Sequence, residues 1–535
     1  MSEKTSDTTK YIAALDIGTT SIRCFIYDTN VQIKGKACEK IELLYPQSGY
    51  VELSPDDLWQ SVLKTIRDAI ENAGLTAKNI SCMGVSTQRS TFITWDRNTG
   101  ETFHNFITWK DLRADSMVRK WNDSITLKLM HGVSHCLYFF TRNKRFLAGS
   151  VLKLMNAQTT LRLAWMIQNN KKLQAAIEQK NALFGTLDSW LLYRLRQGDA
   201  LDYKPEHISD VTNVSATGFY DPFTLQWAKW ALNLFSIKAN MLPRVVDNSY
   251  DFGCINKDLF GYEIPIGCSI GDQSASMWGS CCFNTGDIKI TLGTGSFLNL
   301  NTGTHCPASI YGLYPLVAWR CSRKKSNESE LVYCMEGSSN DTGSIIQWAI
   351  SIGLFDDPAK SAEIAYSVDD NEEVYFVPAF SGLGAPINDH QAASGLIGIR
   401  PSTTNAHIVR AILESITYRL TQLYACTITE TNFTFSIIRV DGGVSKNDFI
   451  CQLLADLTKL KVERAYDSEL SALGAGFLAG LNTGIWDSRD ELIKLRKVER
   501  TFVPNENNYE KAMQKMKHWE RAVGRFKGWY QFQKE

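Results

Sequence analysis

A chain of 535 residues is too long for one hydrophobic core, so two or more domains are expected. It is 44% hydrophobic and 21% charged, the composition of an ordinary globular protein. Its 57 basic side chains balance 57 acidic ones, which leaves no nucleic-acid footprint and no sign of a membrane-surface patch.

The first ten residues are polar, without the apolar core of a secretion signal and without arginine. No apolar run is long enough to span a bilayer, and these absences lead to an expectation of the cytoplasm. Apolar runs at 11–15 and 24–27 read as two strands, with Gly18-Thr19-Thr20-Ser21 as the turn between them. Glycine and small hydroxyl residues present N–H and O–H groups without bulk, a surface that suits phosphate. Asp16 and Arg23 flank it with opposite charges. A third strand is expected within 31–43. Ser54-Pro55-Asp56-Asp57 then reads as a helix start: a cap, a proline in the first turn and acids at the positive end. Leu58, Trp59, Val62, Leu63, Ile66, Ala69 and Ile70 form its apolar face, and Gly74 ends it. A buried strand follows at 80–86.

Residues 121–170 read as mixed and mostly helical, with helices also expected at 160–169 and 187–195 and two short helical pieces within 222–240. The second half begins near Ile264-Pro265-Ile266. A strand at 287–292, the turn Gly293-Thr294-Gly295-Ser296, and strands at 297–300 and 312–319 repeat the opening plan. A charged loop is expected at 321–330. Helices are expected at 339–352, 405–424, 447–459 and 471–481, with a strand at 437–440 leading into Asp441-Gly442-Gly443. Residues 488–535 read as helices with basic, solvated faces. Two similar halves suggest a duplicated fold around a shared cleft, where small ligands bind.

The 13 cysteines are odd in number and form no C-x-x-C pair, so they read as reduced thiols, with Cys281 and Cys282 as packing residues. His131, His135 and Cys136 have a spacing that can hold a metal on a helix. No glutamate follows His131 and Gly132 weakens the helix, so no metal site is expected there. Neither a P-loop nor a G-x-G-x-x-G motif is present. Instead, separated pieces recur in order: Asp16 with Gly18-Thr19-Thr20, Gly271-Asp272-Gln273, Gly293-Thr294-Gly295, Gly343, and Asp441-Gly442-Gly443 with Asn447.

Those pieces, with LDIGTTSIR at 15–23, STQRSTFITW at 86–95, GDQSASMWG at 271–279, LGTGSFLNLNTG at 292–303, EGSSNDTGSIIQW at 336–348 and VDGGVSKNDF at 440–449, resemble the FGGY carbohydrate kinases. Within that family the glycerol kinases are the most similar, over roughly residues 11–485. The resemblance implies an α/β, duplicated ribonuclease-H-like fold of the actin, hexokinase and Hsp70 type, with two domains and an interdomain cleft. It implies an N-terminal domain over 11–265, a C-terminal domain over 266–485 and a helical extension over 486–535. It also implies an ATP- and Mg²⁺-dependent transfer of phosphate to a small polyol, with glycerol first.

Asp272 matches the family's base. Asp16 matches the carboxylate that orients Mg²⁺. Arg89, Trp109, Gln273 and Phe297 match substrate contacts. Thr19, Thr20, Arg23 and Thr294 match phosphate contacts, and Gly343, Gln347, Gly443 and Asn447 the adenosine side. The resemblance leaves homo-oligomerisation open. Departures cluster on the substrate side and resemble those of a divergent glycerol kinase branch. Ser90 stands where the family has a glutamate. A family tyrosine has no clear counterpart, because 123–158 holds an insertion and Ala157 or Gln158 falls near its place. Ile387-Asn388 replaces an aromatic pair. Another polyol or sugar as acceptor, or a non-catalytic polyol or nucleotide sensor, are the alternatives. Retention of Asp16, Asp272 and Thr294 speaks against the sensor.

Overall fold

The computed structural model describes residues 10–200, 203–322, 329–431 and 433–530. Most of the charged loop expected at 321–330 lies outside the described residues.

The first half is organised on a six-stranded sheet. Its order is Cys254–Ile255, Ile264–Gly271, Ile80–Thr87, Tyr11–Ile17, Ser21–Asp28, Ile33–Lys40. Tyr11–Ile17 lies at its centre and is buried on both faces, which explains its unbroken apolar run. One face is covered by helix Pro55–Asn72, whose start follows the expected chemistry: Ser54 Oγ accepts from Asp57 N at 3.2 Å. Its Leu58, Val62 and Ile66 pack with Ala13, Leu15 and Ile17. Each such side chain contributes about 1.5–3 kcal/mol by leaving water.

The other face is covered by helix Leu470–Asn482, from the far end of the chain. Its run of small residues is explained by close approach. A Cβ on Gly84 would sit 2.2 Å from Ala475 O, and one on Gly474 would sit 1.7 Å from Ala275 O. The second contact packs this helix onto helix Asp272–Gly279.

The second half repeats the plan on a seven-stranded sheet. Its order is Tyr314–Ser322, Ser329–Ser339, Ser296–Gly303, Ile288–Leu292, Ile437–Asp441, Lys461–Ala465, Val498–Phe502. The long helix Asn405–Glu430 is buried along most of its length against this sheet.

Three expectations change. The boundary at 265/266 falls inside strand Ile264–Gly271, which pairs in parallel with Ile80–Thr87 and extends the first sheet to the threshold of Asp272. The third strand of the second sheet is Ser329–Ser339, so the run at 312–319 becomes the edge strand beyond it. Residues 222–240 keep the two short helical pieces expected there, Lys229–Leu234 and the 3-10 turn Ala239–Met241, ahead of Pro243. A two-residue ladder of Tyr220–Asp221 with Gln226–Trp227 precedes them, and Trp227 stacks on Phe219 at 5.0 Å. Finally, residues 486–535 are not helical throughout. Val498–Phe502 joins the sheet edge, and helix Glu506–Phe526 buries Trp519, whose Nε1 donates to Phe376 O at 2.8 Å.

All 13 cysteines are free thiols, and Cys281 and Cys282 are buried. No group of three or more His, Cys, Asp and Glu side chains that could hold a metal occurs among the described residues, and His131 Nε2 lies 2.7 Å from Leu152 O. No helix among the described residues is long and apolar enough to cross a membrane.

Candidate active site

The first hairpin closes through Gly18 N to Ser21 O at 3.0 Å. Antiparallel register sets Asp16 opposite Arg23, and parallel register sets Asp16 beside Ser86. Ser86 Oγ donates to Asp16 Oδ1 at 2.7 Å. Arg23 stands 3.9 Å from Asp16 but 2.6 Å from Glu469, so its charge is committed mainly elsewhere. Burial therefore pushes the Asp16 carboxyl up to about 7, against the pull of Ser86 and Arg23. A buried carboxylate short of countercharge is a donor that fits a hard cation.

The second hairpin closes through Gly293 N to Gly295 O at 2.9 Å. Its loop is stitched to the start of helix Gly343–Ser351: Thr342 N donates to Thr294 O at 3.1 Å and Gly343 N to Gly293 O at 3.0 Å. A Cβ on Gly343 would lie 2.6 Å from Gly293 O, so the approach requires glycine. Thr20 and Thr294 are exposed at the two turns. Trp109 joins the two hairpins. Its Nε1 donates to Thr19 Oγ1 at 2.9 Å, and its indole meets Phe297 edge to face at 6.3 Å.

Asp272 is the first residue of helix Asp272–Gly279, directly after the sheet strand. Its Oδ1 accepts from Gln273 N at 2.8 Å and from Arg89 Nε at 3.3 Å. The side chain keeps 26% of its surface open, while the Arg89 side chain keeps 9%. Burial raises the Asp272 pKa and Arg89 opposes the rise. Arg89 is itself held charged: burial works against it, but Glu336 and Asp272 outweigh that and raise its pKa.

Backbone packing fixes this pair. A Cβ on Gly271 would strike Arg89 Cδ at 2.8 Å, and Gly271 N donates to Thr212 Oγ1 at 2.7 Å. Asp210 in turn accepts from Thr212 N, from Asn213 N and from Asn248 Nδ2.

Three residues that sequence reasoning missed complete the cluster. Glu336 Oε2 accepts from Arg89 Nη2 and from Asn299 Nδ2, both at 2.7 Å. Lys289 is fully buried and donates to Gln273 Oε1 at 2.8 Å. Burial lowers its pKa, against the pull of Asp441, Asp272 and Glu336. The available signal was a lone charge inside an apolar strand: Lys289 between Ile288 and Ile290, and Glu336 after Cys334-Met335.

The structure thus brings the predicted residues into three contact groups, Asp16 with Arg23, Thr19 with Trp109 and Phe297, and Arg89 with Asp272, and the charge of Asp272 acts on Asp16. Others are engaged elsewhere. Gln273 is buried against Lys289. Asn447 caps helix Asp448–Thr458 by accepting from Ile450 N at 3.1 Å, and donates to Ser361 Oγ at 2.9 Å. Gln347 is exposed, and Gly443 has no heavy atom within 4 Å of where a Cβ would stand. Ser90 is buried in the left-handed region at φ 63°. Its hydroxyl donates to Ala216 O at 2.9 Å and its carbonyl accepts from Arg162 Nη2 at 2.9 Å. Ser90 therefore serves the local backbone.

The chain is similar to known proteins over nearly its whole length. Residues 11–279 match the FGGY family of carbohydrate kinases, N-terminal domain, and residues 288–483 match its C-terminal domain. The chain is 44% identical to glycerol kinase 5 of Danio rerio, with 95% of this chain and 97% of that one covered. It is 42% identical to glycerol kinase 5 of Homo sapiens, with 97% and 96% covered, and 36% identical to glycerol kinase 2 of Thermotoga maritima, with 97% and 99% covered. Among solved structures, Plasmodium falciparum glycerol kinase with ADP superposes with a TM-score of 0.83 at 28% identity, covering 98% of this chain and 99% of that one.

Proposed function

The chain belongs to the FGGY family of carbohydrate kinases, and from that premise we propose that it transfers the γ-phosphoryl group of ATP to a hydroxyl of a small polyol, glycerol before others, giving glycerol 3-phosphate. The observation that carries this reading is the placement of Asp272. Its carboxylate is oriented by Arg89 and by its own helix start, is partly open, and interacts electrostatically with Asp16 of the first hairpin and Lys289 of the second.

Phosphoryl transfer asks a protein mainly for positioning and charge stabilisation. Asp272 accepts the proton of the attacking hydroxyl as the new O–P bond forms. A carboxylate suffices, because that proton becomes acidic late in the transfer. Arg89 fixes the carboxylate and offers N–H donors to acceptor hydroxyls, and Glu336 offers a carboxylate oxygen where Ser90 offers none. Trp109 and Phe297 wall the acceptor side and exclude water. Thr19, Thr20 and Arg23 receive phosphates from the first turn and Thr294 from the second. Gly343, Gln347 and Gly443 form the adenosine side, and Asn447 holds the helix start beside Gly443.

Asp16 would hold Mg²⁺, which suits its undercompensated charge. The ion supplies neutralisation of phosphate charge. The relatives' names favour glycerol as acceptor, and the divergent pocket around Ser90 keeps a second polyol or sugar in the panel.

The test is ADP release by the purified chain with Mg-ATP across polyols and sugars. Glycerol should give a rate about 10²–10⁴ times that of Asp272→Ala. No acceptor exceeding that variant would overturn the kinase reading, and activity on a different acceptor alone would overturn glycerol.

A further inference from the structure

Net charge near zero conceals one segregated region. From Ser124 to Ile177 the sequence contains no aspartate or glutamate. Within its first part lie Lys128, Arg142, Lys144, Arg145 and Lys153. This is the insertion that lacks a counterpart in the family motifs, and it folds as two antiparallel helices, Ile125–Thr141 and Lys144–Ser150.

The longer helix is unusual in that Leu127 is its only buried residue. Ile125 is 75% exposed, Leu129 64%, Val133 59% and Phe140 76%. With Leu137, also exposed, they recur three or four residues apart and so share one face. Phe139 packs edge to face on Phe140 at 5.3 Å, and the Arg142 guanidinium lies 5.5 Å from the Phe139 ring. The hairpin is internally fastened. His131 Nε2 and Leu152 O are 2.7 Å apart, and Asn122 and Leu154 exchange two hydrogen bonds. The apolar face is therefore presented by a fixed scaffold rather than left by fraying.

We propose that this hairpin docks the protein on an anionic phospholipid surface. An apolar helical face with aromatic residues at its end and lysine and arginine around it, free of acids, suits an interfacial helix that lies in the headgroup layer without crossing it. Charge decides between occupants. A twofold contact with a second copy would set the same basic cluster against itself, whereas an anionic surface neutralises it. Arg145 is already tied to Asp221, so Lys128, Arg142, Lys144 and Lys153 carry the electrostatic part.

The test is co-sedimentation of the full chain with vesicles of phosphatidylcholine, with and without phosphatidylserine. Binding should require phosphatidylserine and weaken with added salt. Arg142→Glu with Lys144→Glu should lower partitioning at least about tenfold. Leu129→Asp with Val133→Asp should abolish it while leaving the circular dichroism spectrum and ADP release unchanged. In Phe140→Trp the emission should shift to the blue on anionic vesicles. The proposal is overturned if the wild type ignores anionic vesicles at low salt, or if the variants bind as it does. It is equally overturned if the wild type sediments as a dimer that Leu129→Asp with Val133→Asp converts to a monomer, with no vesicle binding by either form.

Discussion

The two hairpins share a backbone plan and divide its chemistry. In the first, the pair before the turn's last rung is Asp16 opposite Arg23, and in the second it is Thr291 opposite Phe297. The parallel neighbour reverses the assignment: Asp16 sits beside Ser86, and Thr291 sits beside Asp441. Each half keeps one buried carboxylate and one hydroxyl at this level, but on exchanged strands. Asp441 takes a hydrogen bond from Ser276 at 2.6 Å, as Asp16 takes one from Ser86. Asp441 adds countercharge to the buried Lys289, whereas Asp16 has only a distant Arg23. One duplicated frame thus yields a site that wants a cation and a site that already contains one.

That contrast breaks hardest at Asp16. Asp16→Asn should lower the Mg-ATP-dependent rate by at least about 100-fold, while Asp441→Asn should cost less than tenfold in rate and show its effect in stability. Asp16 also predicts a pH dependence. Asp16 titrates near 7 when folded and near 3.8 when unfolded, so between those values the folded chain binds more protons. Stability of the ligand-free protein should therefore fall as pH rises from about 4 to about 7. Asp16→Asn should remove that loss and stabilise the protein above pH 7, by up to about 4 kcal/mol. The gain should vanish below pH 4. Denaturant melts at several pH values check this, and an equal slope in both proteins would refute it.

Next in size is Glu336→Gln. It keeps the shape but removes the charge that Arg89 and Asn299 share, and kcat/KM for the acceptor should fall about 10- to 100-fold, a cost of about 1.4–2.8 kcal/mol. Steady-state kinetics with varied acceptor read it directly, and an unchanged kcat/KM would remove Glu336 from the pocket. Ser90→Ala should have the smallest effect. It deletes the bond to the Ala216 carbonyl, with a stability loss of about 1 kcal/mol and an acceptor KM changed by less than about twofold. A large KM change would show that the hydroxyl faces the acceptor.

Much of the fold was legible in order along the chain. The Gly18-Thr19-Thr20 and Gly293-Thr294-Gly295 turns, the Ser54 cap and the Gly271-Asp272 junction are local signals, written in residues that tolerate few other conformations. The edge strand Val498–Phe502 was not legible, because its polar centre Glu499-Arg500-Thr501 carries no strand pattern and is held only by pairing with Lys461–Ala465. The boundary at 265/266 failed for a related reason. Ile264–Gly271 carries no mark saying which sheet it joins, and parallel pairing is settled by distant partners.

The site divides in the same way. The sequence by itself determined the two turns, the proposed base, the residues that resemble family contacts, and the anomaly at Ser90. Tertiary structure alone decided that Glu336 meets both Arg89 and Asn299, that Lys289 adds countercharge to carboxylates behind the proposed base, and that Asn447 is spent on a cap. It also decided that a helix rich in leucine and phenylalanine stays on the outside. Motifs specify what a backbone can do locally, but the countercharge of a buried group depends on which strands the fold lays side by side.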